Sequence, residues 1–268
     1  EKLSGEIAGR ILDLAGIVVN KNTIKGDRSA VHPSAIRLGT VWMSQLGYDT
    51  KDMDTLAGLI VDTLKAIHPF HYLEGMGTVG RGKIDLDQLD TIRKGVDALI
   101  ESRLGPPTGP ISGYPHFDAF AAKPTKAAEK PFTPPAAGAV LVKDGAAGVL
   151  EVESERAHYF MQSIGSADVS KLAPNECVRS AFFDRKGEWI DDALIVRQSD
   201  RIPGWRRYLV LTNPANHARL RRWFRAVSDG YVLFDDADVT KKVEGPVMVL
   251  DLSHAEPHAP TLPDPKIV

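Results

Sequence analysis

Four polar side chains in this 268-residue sequence have types and settings that suit chemistry: Asn22, Arg37, Asp192 and Asn213. Arg37 closes the run Asn20-Lys21-Asn22-Thr23-Ile24-Lys25-Gly26-Asp27-Arg28-Ser29-Ala30-Val31-His32-Pro33-Ser34-Ala35-Ile36-Arg37. A guanidinium is a planar fork of fixed donors, matched to bidentate capture of a carboxylate. The bland alternative is a structural arginine paired with a loop carboxylate. Asn22 supplies donor and acceptor together, or else caps a turn. Asp191 and Asp192 are adjacent carboxylates. Such a group, held within hydrogen-bond reach of a reacting atom, can orient it and manage a proton. At a turn-to-strand junction it can instead cap free backbone donors.

Other groups carry less. His68 and His71, in His68-Pro69-Phe70-His71, lack a neighbouring carboxylate or cysteine set, so structural or surface roles outweigh a metal site. The same holds for His254 and His258. Gly75-x-Gly77-x-x-Gly80 mimics a dinucleotide motif but lacks the strand before it and the helix after it. Arg206, Arg207, Arg219, Arg221, Arg222 and Arg225 read as a solvated basic face, with a polyanionic tail or an acidic partner as the alternative. Cys177 is the only cysteine, which excludes an internal disulfide and a cysteine-based zinc site. A reducing, cytoplasmic setting follows as the default.

The elements that must position these groups differ between the two ends of the chain. Leu3, Ile7, Ile11, Leu12 and Leu14 recur at helical spacing, Gly16 punctuates, and 17–19 reads as a short buried strand. The polar, turn-rich stretch 20–36 predicts a long functional loop. Met53, Leu56, Leu59, Ile60, Leu64 and Ile67 predict a second helix, with Asp49 or Thr50 as its cap. Leu86, Leu89, Ile92, Val96, Leu99 and Ile100 predict a third, capped by Asp85 and stopped by Gly105. Prolines then crowd 105–135, which predicts an interdomain linker. Beyond it the pattern turns to short β-branched or aromatic runs at 139–142, 148–152, 180–183, 193–196 and 208–211. Helical patterns at 155–164 and 216–227 lie between or after them. The fold class is α+β. The divisions are 1–104, a linker at 105–135, a second domain at 136–252 and a flexible tail at 253–268.

A formal net charge of -2 gives no electrostatic footprint for nucleic acid or an anionic membrane. No apolar run approaches the roughly 20 residues of a membrane-spanning helix. The start Glu1-Lys2-Leu3-Ser4 has neither a methionine nor a signal-peptide pattern, so it reads as a cut inside a longer polypeptide.

The Asn-Lys-Asn-Thr opening, Gly26-Asp27-Arg28-Ser29-Ala30 and the Ser34-x-x-Arg37-x-Gly39-Thr40 close fall in one register that closely resembles the serine hydroxymethyltransferases. The resemblance covers roughly 1–70 and is less distinctive up to 104. It implies the small C-terminal α/β domain of a fold-type I pyridoxal phosphate enzyme. It implies that Arg37 holds the carboxylate of glycine or serine and that Asn22 contacts folate, whose pterin edge mixes donors and acceptors. Val41-Trp42 stands where the family continues Pro-Ala. The threonine run and histidine around the family's cofactor lysine are absent, so the pyridoxal phosphate domain is expected on a missing N-terminal part.

A second resemblance rests on Gly148-Val149-Leu150-Glu151-Val152-Glu153, on 167–172, on Asp184 to Val196 and on Leu211-Thr212-Asn213-Pro214-Ala215-Asn216. Their order and spacing look like the folate-binding domain of aminomethyltransferase, the T-protein of glycine cleavage. It implies that Asp192 meets the reactive edge of tetrahydrofolate and that Asn213 helps bind it. Two family tyrosines are replaced, by Arg179 and Val196, and the later folate contacts lie past the end, so this domain is expected to be incomplete. Together the halves imply a fragment of a fused transferase. It would act on serine or glycine with tetrahydrofolate, be inactive alone and form a possible homo-oligomer. Two other readings stay open: a non-catalytic folate-binding or scaffolding module, and the demethylating domain of a sarcosine or dimethylglycine oxidase.

Overall fold

A computed structural model describes residues 3–27, 31, 33–74, 77–105, 148–253 and 266–267. They gather into two units: 3–105 with 230–242, and 148–229 with 243–253 and 266–267. Both mix helices and strands, as the composition of the two halves predicts. The linker expected at 105–135 lies outside the described residues except for Gly105. The strand expected at 139–142 and most of the tail, with His254 and His258, lie outside them too.

The first unit opens with α1 (Gly5–Leu14), whose apolar spacing buries Ile7, Ala8, Ile11 and Leu12. Ser4 Oγ caps it by accepting from the Ile7 amide at 3.3 Å. At its other end the Ile17 amide folds back to Leu12 O at 2.8 Å, past Gly16 at φ +88°. That wrap keeps 17–19 irregular, and the strand expected there begins one residue later. It is β1 (Asn20–Asn22), paired antiparallel with β2 (Ala35–Arg37). A backbone ladder is satisfied whatever the side chains, so a hairpin forms where polar composition suggested only loop. The short α2 (Val41–Gln45) follows, then α3 (Thr50–Ala66). Asp49 caps α3 in a reciprocal box with Asp52.

A hairpin of β3 (Ile67–Glu74) and β4 (Gly77–Ile84) occupies the stretch with the glycine-rich pattern, so a strand does precede the glycines, contrary to the sequence reading, but a strand and not a helix follows. At Gly82 an added Cβ would sit 2.7 Å from Ile7 Cγ2 and 2.9 Å from Ile67 Cγ2, so this glycine lets α1 approach the hairpin. Helix α4 (Leu86–Leu104) is capped by Asp85 and ends at Gly105 with φ +71°, as its signals predict. The core joins Leu12, Ile17 and Val96 to Val19, Ile36, Leu56, Leu59, Ile60 and Leu64. Ile84 also bonds to Tyr231 and Leu233 through the backbone, at 2.9 and 3.0 Å. That bridge places 230–242 with the first unit, although the sequence patterns group them with the second domain.

The second unit is a six-stranded sheet. Its strands are β5 (Gly148–Ser154), β6 (Glu176–Phe183), β7 (Trp189–Gln198), β8 (Arg206–Thr212), β9 (Met248–Asp251) and β10 (Lys266–Ile267), in the order β10-β6-β7-β8-β5-β9. All neighbours are antiparallel except β10 on β6. Helices α5 (Ala157–Ile164) and α6 (His217–Ser228) cover one face. Phe160, Phe224 and Phe182 meet there edge to face, with centroids 5.7 and 5.2 Å apart. On the opposite face Cys177, Val196 and Leu209 pack with Val149, Leu194, Leu211 and Leu252.

Candidate functional site

The β1–β2 register sets the first candidate site. Asn20 faces Arg37, Lys21 faces Ile36 and Asn22 faces Ala35. Side chains alternate across a strand, so Asn20, Asn22 and Arg37 share one face while Lys21 and Ile36 share the other. Ile36 packs into the core and Lys21 pairs with Glu6 of α1 at 3.1 Å. Arg37 therefore points away from the core, exposed, with no hydrogen-bond or ion-pair partner among the described residues. Asn22 lies diagonally across from it, which for such pairs means a spacing of about 7–8 Å. Asn22 Nδ2 donates to Thr23 O at 2.9 Å. The hairpin thus presents an exposed guanidinium beside two carboxamides, an arrangement able to take a carboxylate and a neighbouring polar group.

The connection between the strands is pinned by Asp27. Its Oδ2 accepts from the amides of Ile24 and Ser34, at 3.0 and 3.1 Å, and its Oδ1 accepts from Ser34 Oγ at 2.6 Å. The Ser34 hydroxyl, followed by the two backbone amides, holds the Asp27 carboxyl below its ordinary range. The next turn carries Val41 and Trp42, both well exposed, with Trp42 at 75%.

In the second unit the paired carboxylates take opposite positions. Asp191 is fully buried and accepts from the Asn213 amide and from Asn216 Nδ2, each at 3.0 Å. It ties β7 to the corner between β8 and α6, the capping role open to an aspartate at a strand start. Asp192 points outward and pairs with Arg179 Nη1 at 2.8 Å, the two side chains being 48% and 72% exposed. Arg179 occupies the position where the T-protein resemblance expects a tyrosine. Asn213 Oδ1 accepts from the Ala215 amide at 3.0 Å, a turn that opens the approach to α6.

Several charged groups are absorbed by neighbours. Arg207 donates to Glu151 at 2.7 Å, Arg219 pairs with Asp184 at 3.2 Å, and Arg221 pairs with Asp251 at 2.6 Å. Glu151, almost fully buried, also takes a bidentate contact from Arg201 at 2.9 and 3.1 Å. Sequence reasoning missed a His217 node: Nδ1 lies 2.8 Å from Thr212 Oγ1 and Nε2 lies 3.0 Å from Asp251. No local motif links residues 212, 217 and 251, so only the pairing of β5 with β8 and β9 brings them together. Among the described residues no group of three or more His, Cys, Asp or Glu could hold a metal ion. No described helix is long and apolar enough to cross a membrane.

Comparison with known proteins bears mainly on the first unit. The serine hydroxymethyltransferase of Natronomonas pharaonis is 36% identical over 87 residues, 32% of this chain and 19% of its own length. That of Bombyx mori is 43% identical over 63 residues, 24% of this chain and 14% of its own. The mitochondrial serine hydroxymethyltransferase of Schizosaccharomyces pombe is 43% identical over 58 residues, 22% of this chain and 12% of its own. The chain thus spans about a fifth or less of the curated relatives it matches. Among solved structures, glycine cleavage system aminomethyltransferase T from Bartonella henselae aligns over 41% of this chain and 25% of that chain. The identity is 15% and the TM-score 0.30, too low to establish a common fold. The hairpin that presents Asn22 and Arg37 lies inside residues 1–60, the stretch that matches the family model for serine hydroxymethyltransferase.

Proposed function

We propose that this chain is part of a folate-dependent one-carbon transferase, with the first unit supplying substrate contacts for serine and glycine hydroxymethyl transfer. One observation carries the reading: the β1–β2 register leaves Arg37 exposed and without an ion-pair partner among the described residues, on the same face as Asn22. Arg37 takes the amino-acid carboxylate as a bidentate partner, and Asn22 offers its amide to the mixed edge of tetrahydrofolate. The exposed guanidinium fits a carboxylate. Pyridoxal phosphate would be held by a lysine of a separate N-terminal domain. That cofactor supplies the electron sink when bound; these residues bind and orient.

The second unit is assigned to aminomethyl transfer on the same carrier, with Asp192 toward the reactive edge of tetrahydrofolate and Asn213 as a binding group. A shared polypeptide would raise the local concentration of the folate product. The Arg179–Asp192 pair favours a second reading for this unit, a folate-binding or scaffolding module in which the carboxylate is occupied.

The test uses the complete polypeptide purified from its source. Pyridoxal phosphate absorbance, with a serine KM raised by Arg37→Lys, supports the first unit's role. Absence of that absorbance sinks it. Asp192→Ala separates the two readings of the second unit: lost aminomethyl transfer supports catalysis, and unchanged transfer supports the module.

A further inference from the structure

The geometry points to Asp27 as the positioning residue of the Arg37 site, holding the strand register that turns the guanidinium outward; this rests on the carboxylate-binding reading of Arg37. The ladder it protects is short. β1 and β2 pair through three residues each, and residues 23–34 connect them. Two-stranded ribbons of this size are marginal alone, and a long connection adds closure entropy.

Asp27 shortens that connection. Its carboxylate joins Ile24, two residues past β1, to Ser34, the residue just before β2, through two backbone amides and one hydroxyl. Three donors converge on one side chain, which an ionised carboxylate, an acceptor only, can satisfy at once. The consequence at Arg37 follows from strand parity. A slip of one residue exchanges the two faces. Arg37 would then turn toward the core and Ile36 outward.

The chemistry of the staple also makes its test specific. Among the described residues both backbone amides donate to Oδ2, while Oδ1 receives the Ser34 hydroxyl. In Asp27→Asn the amide oxygen can keep both backbone bonds, and the new NH2 can donate to Ser34 Oγ, since a hydroxyl also accepts. In Asp27→Ala all three bonds vanish.

The experiment is nuclear magnetic resonance on the same complete polypeptide, wild type, Asp27→Asn and Asp27→Ala. Two quantities are read: amide exchange of β1 and β2, and the shift of the Arg37 Nε–Hε signal on titration with serine. Ethanolamine, which lacks the carboxylate, is the control. The expected result is a serine-specific shift in wild type that persists in Asp27→Asn. In Asp27→Ala the shift is lost and strand exchange is about tenfold faster or more, the scale of losing hydrogen bonds to a charged group. A serine shift and strand protection both unchanged in Asp27→Ala overturn the proposal. No serine shift in wild type sinks the Arg37 reading itself. Faster exchange in Asp27→Ala would then mark Asp27 as structural only, which also overturns the positioning role.

Discussion

Replacing Gly5 with alanine tests how tightly the hairpin is held against α1. A Cβ at Gly5 would sit 2.1 Å from Ala35 O, 2.8 Å from Ala35 C and 3.1 Å from Ala35 N. Favourable heavy-atom contacts lie near 3.5–4.0 Å, so α1 and β2 must separate by about an ångström or more. These neighbours are backbone atoms, which cannot swing aside as a side chain can. Separation strains the hydrogen bond that the Gly5 N–H donates to Pro33 O at 2.9 Å. Overpacking costs about 1–3 kcal/mol and a weakened hydrogen bond about 0.5–1.5 kcal/mol. Better helix propensity returns at most about 1 kcal/mol. The net expectation is roughly 2 kcal/mol of destabilisation. Gly9 is the internal control, because its Cβ would meet only Val19 Cγ2 at 3.7 Å. Gly9→Ala should therefore stabilise, by about 0.5–1 kcal/mol. Native-state hydrogen exchange of the α1 amides reads both. Gly5→Ala should exchange about 30-fold faster than wild type, since each 1.4 kcal/mol is about tenfold. Gly9→Ala should exchange more slowly. Equal behaviour of the two variants, or added protection in Gly5→Ala, would refute the close-approach argument.

Glu151→Ala should destabilise the second unit by about 3–5 kcal/mol in urea unfolding, because it leaves Arg207, itself nearly buried, without its carboxylate; a loss below about 1 kcal/mol would show that water replaces the pair. Asp191→Ala should cost about 2–4 kcal/mol by orphaning the Asn213 amide and Asn216 Nδ2, whereas Asp192→Ala should cost less than about 1 kcal/mol as an exposed pair; thermal melts that rank them the other way would contradict their placement. Asp251 should give the second unit acid sensitivity. Burial alone raises its carboxyl, but hydrogen bonds from His217 and Ser253 and attraction to His217 outweigh it and hold the group well below the usual range. A depressed folded value means that the contribution is complete above the unfolded value of about 3.9 and disappears as pH falls toward the folded one. Melting temperatures from pH 6 to pH 2, on the order of that window, should fall more steeply for wild type than for Asp251→Asn; parallel curves would remove Asp251 from the account.

The sequence alone determined the parts of this protein that depend on local chemistry. The spacing of Leu3, Ile7, Ile11 and Leu12 specifies an apolar helix face, and α1 forms over Gly5–Leu14. Asp49 and Asp85 mark helix starts because a short carboxylate satisfies free first-turn amides, and both do so. Gly105 ends α4 for the complementary reason, a positive φ that glycine adopts without strain. The run around Arg37 was legible as a candidate site because its residues are contiguous. What the sequence left open was decided by contacts between distant segments. The β3–β4 hairpin contains Pro69 and several glycines, which have little strand propensity; it is held by its ladder and by the fit of Gly82 against Ile7. Segment 230–242 joins the first unit through Ile84, across a separation no local pattern spans. Asp191 and Asp192 are chemically identical neighbours. Strand alternation and the Asn213–Asn216 corner bury the first, while the second turns outward to Arg179, because side chains reverse face at every residue of a strand.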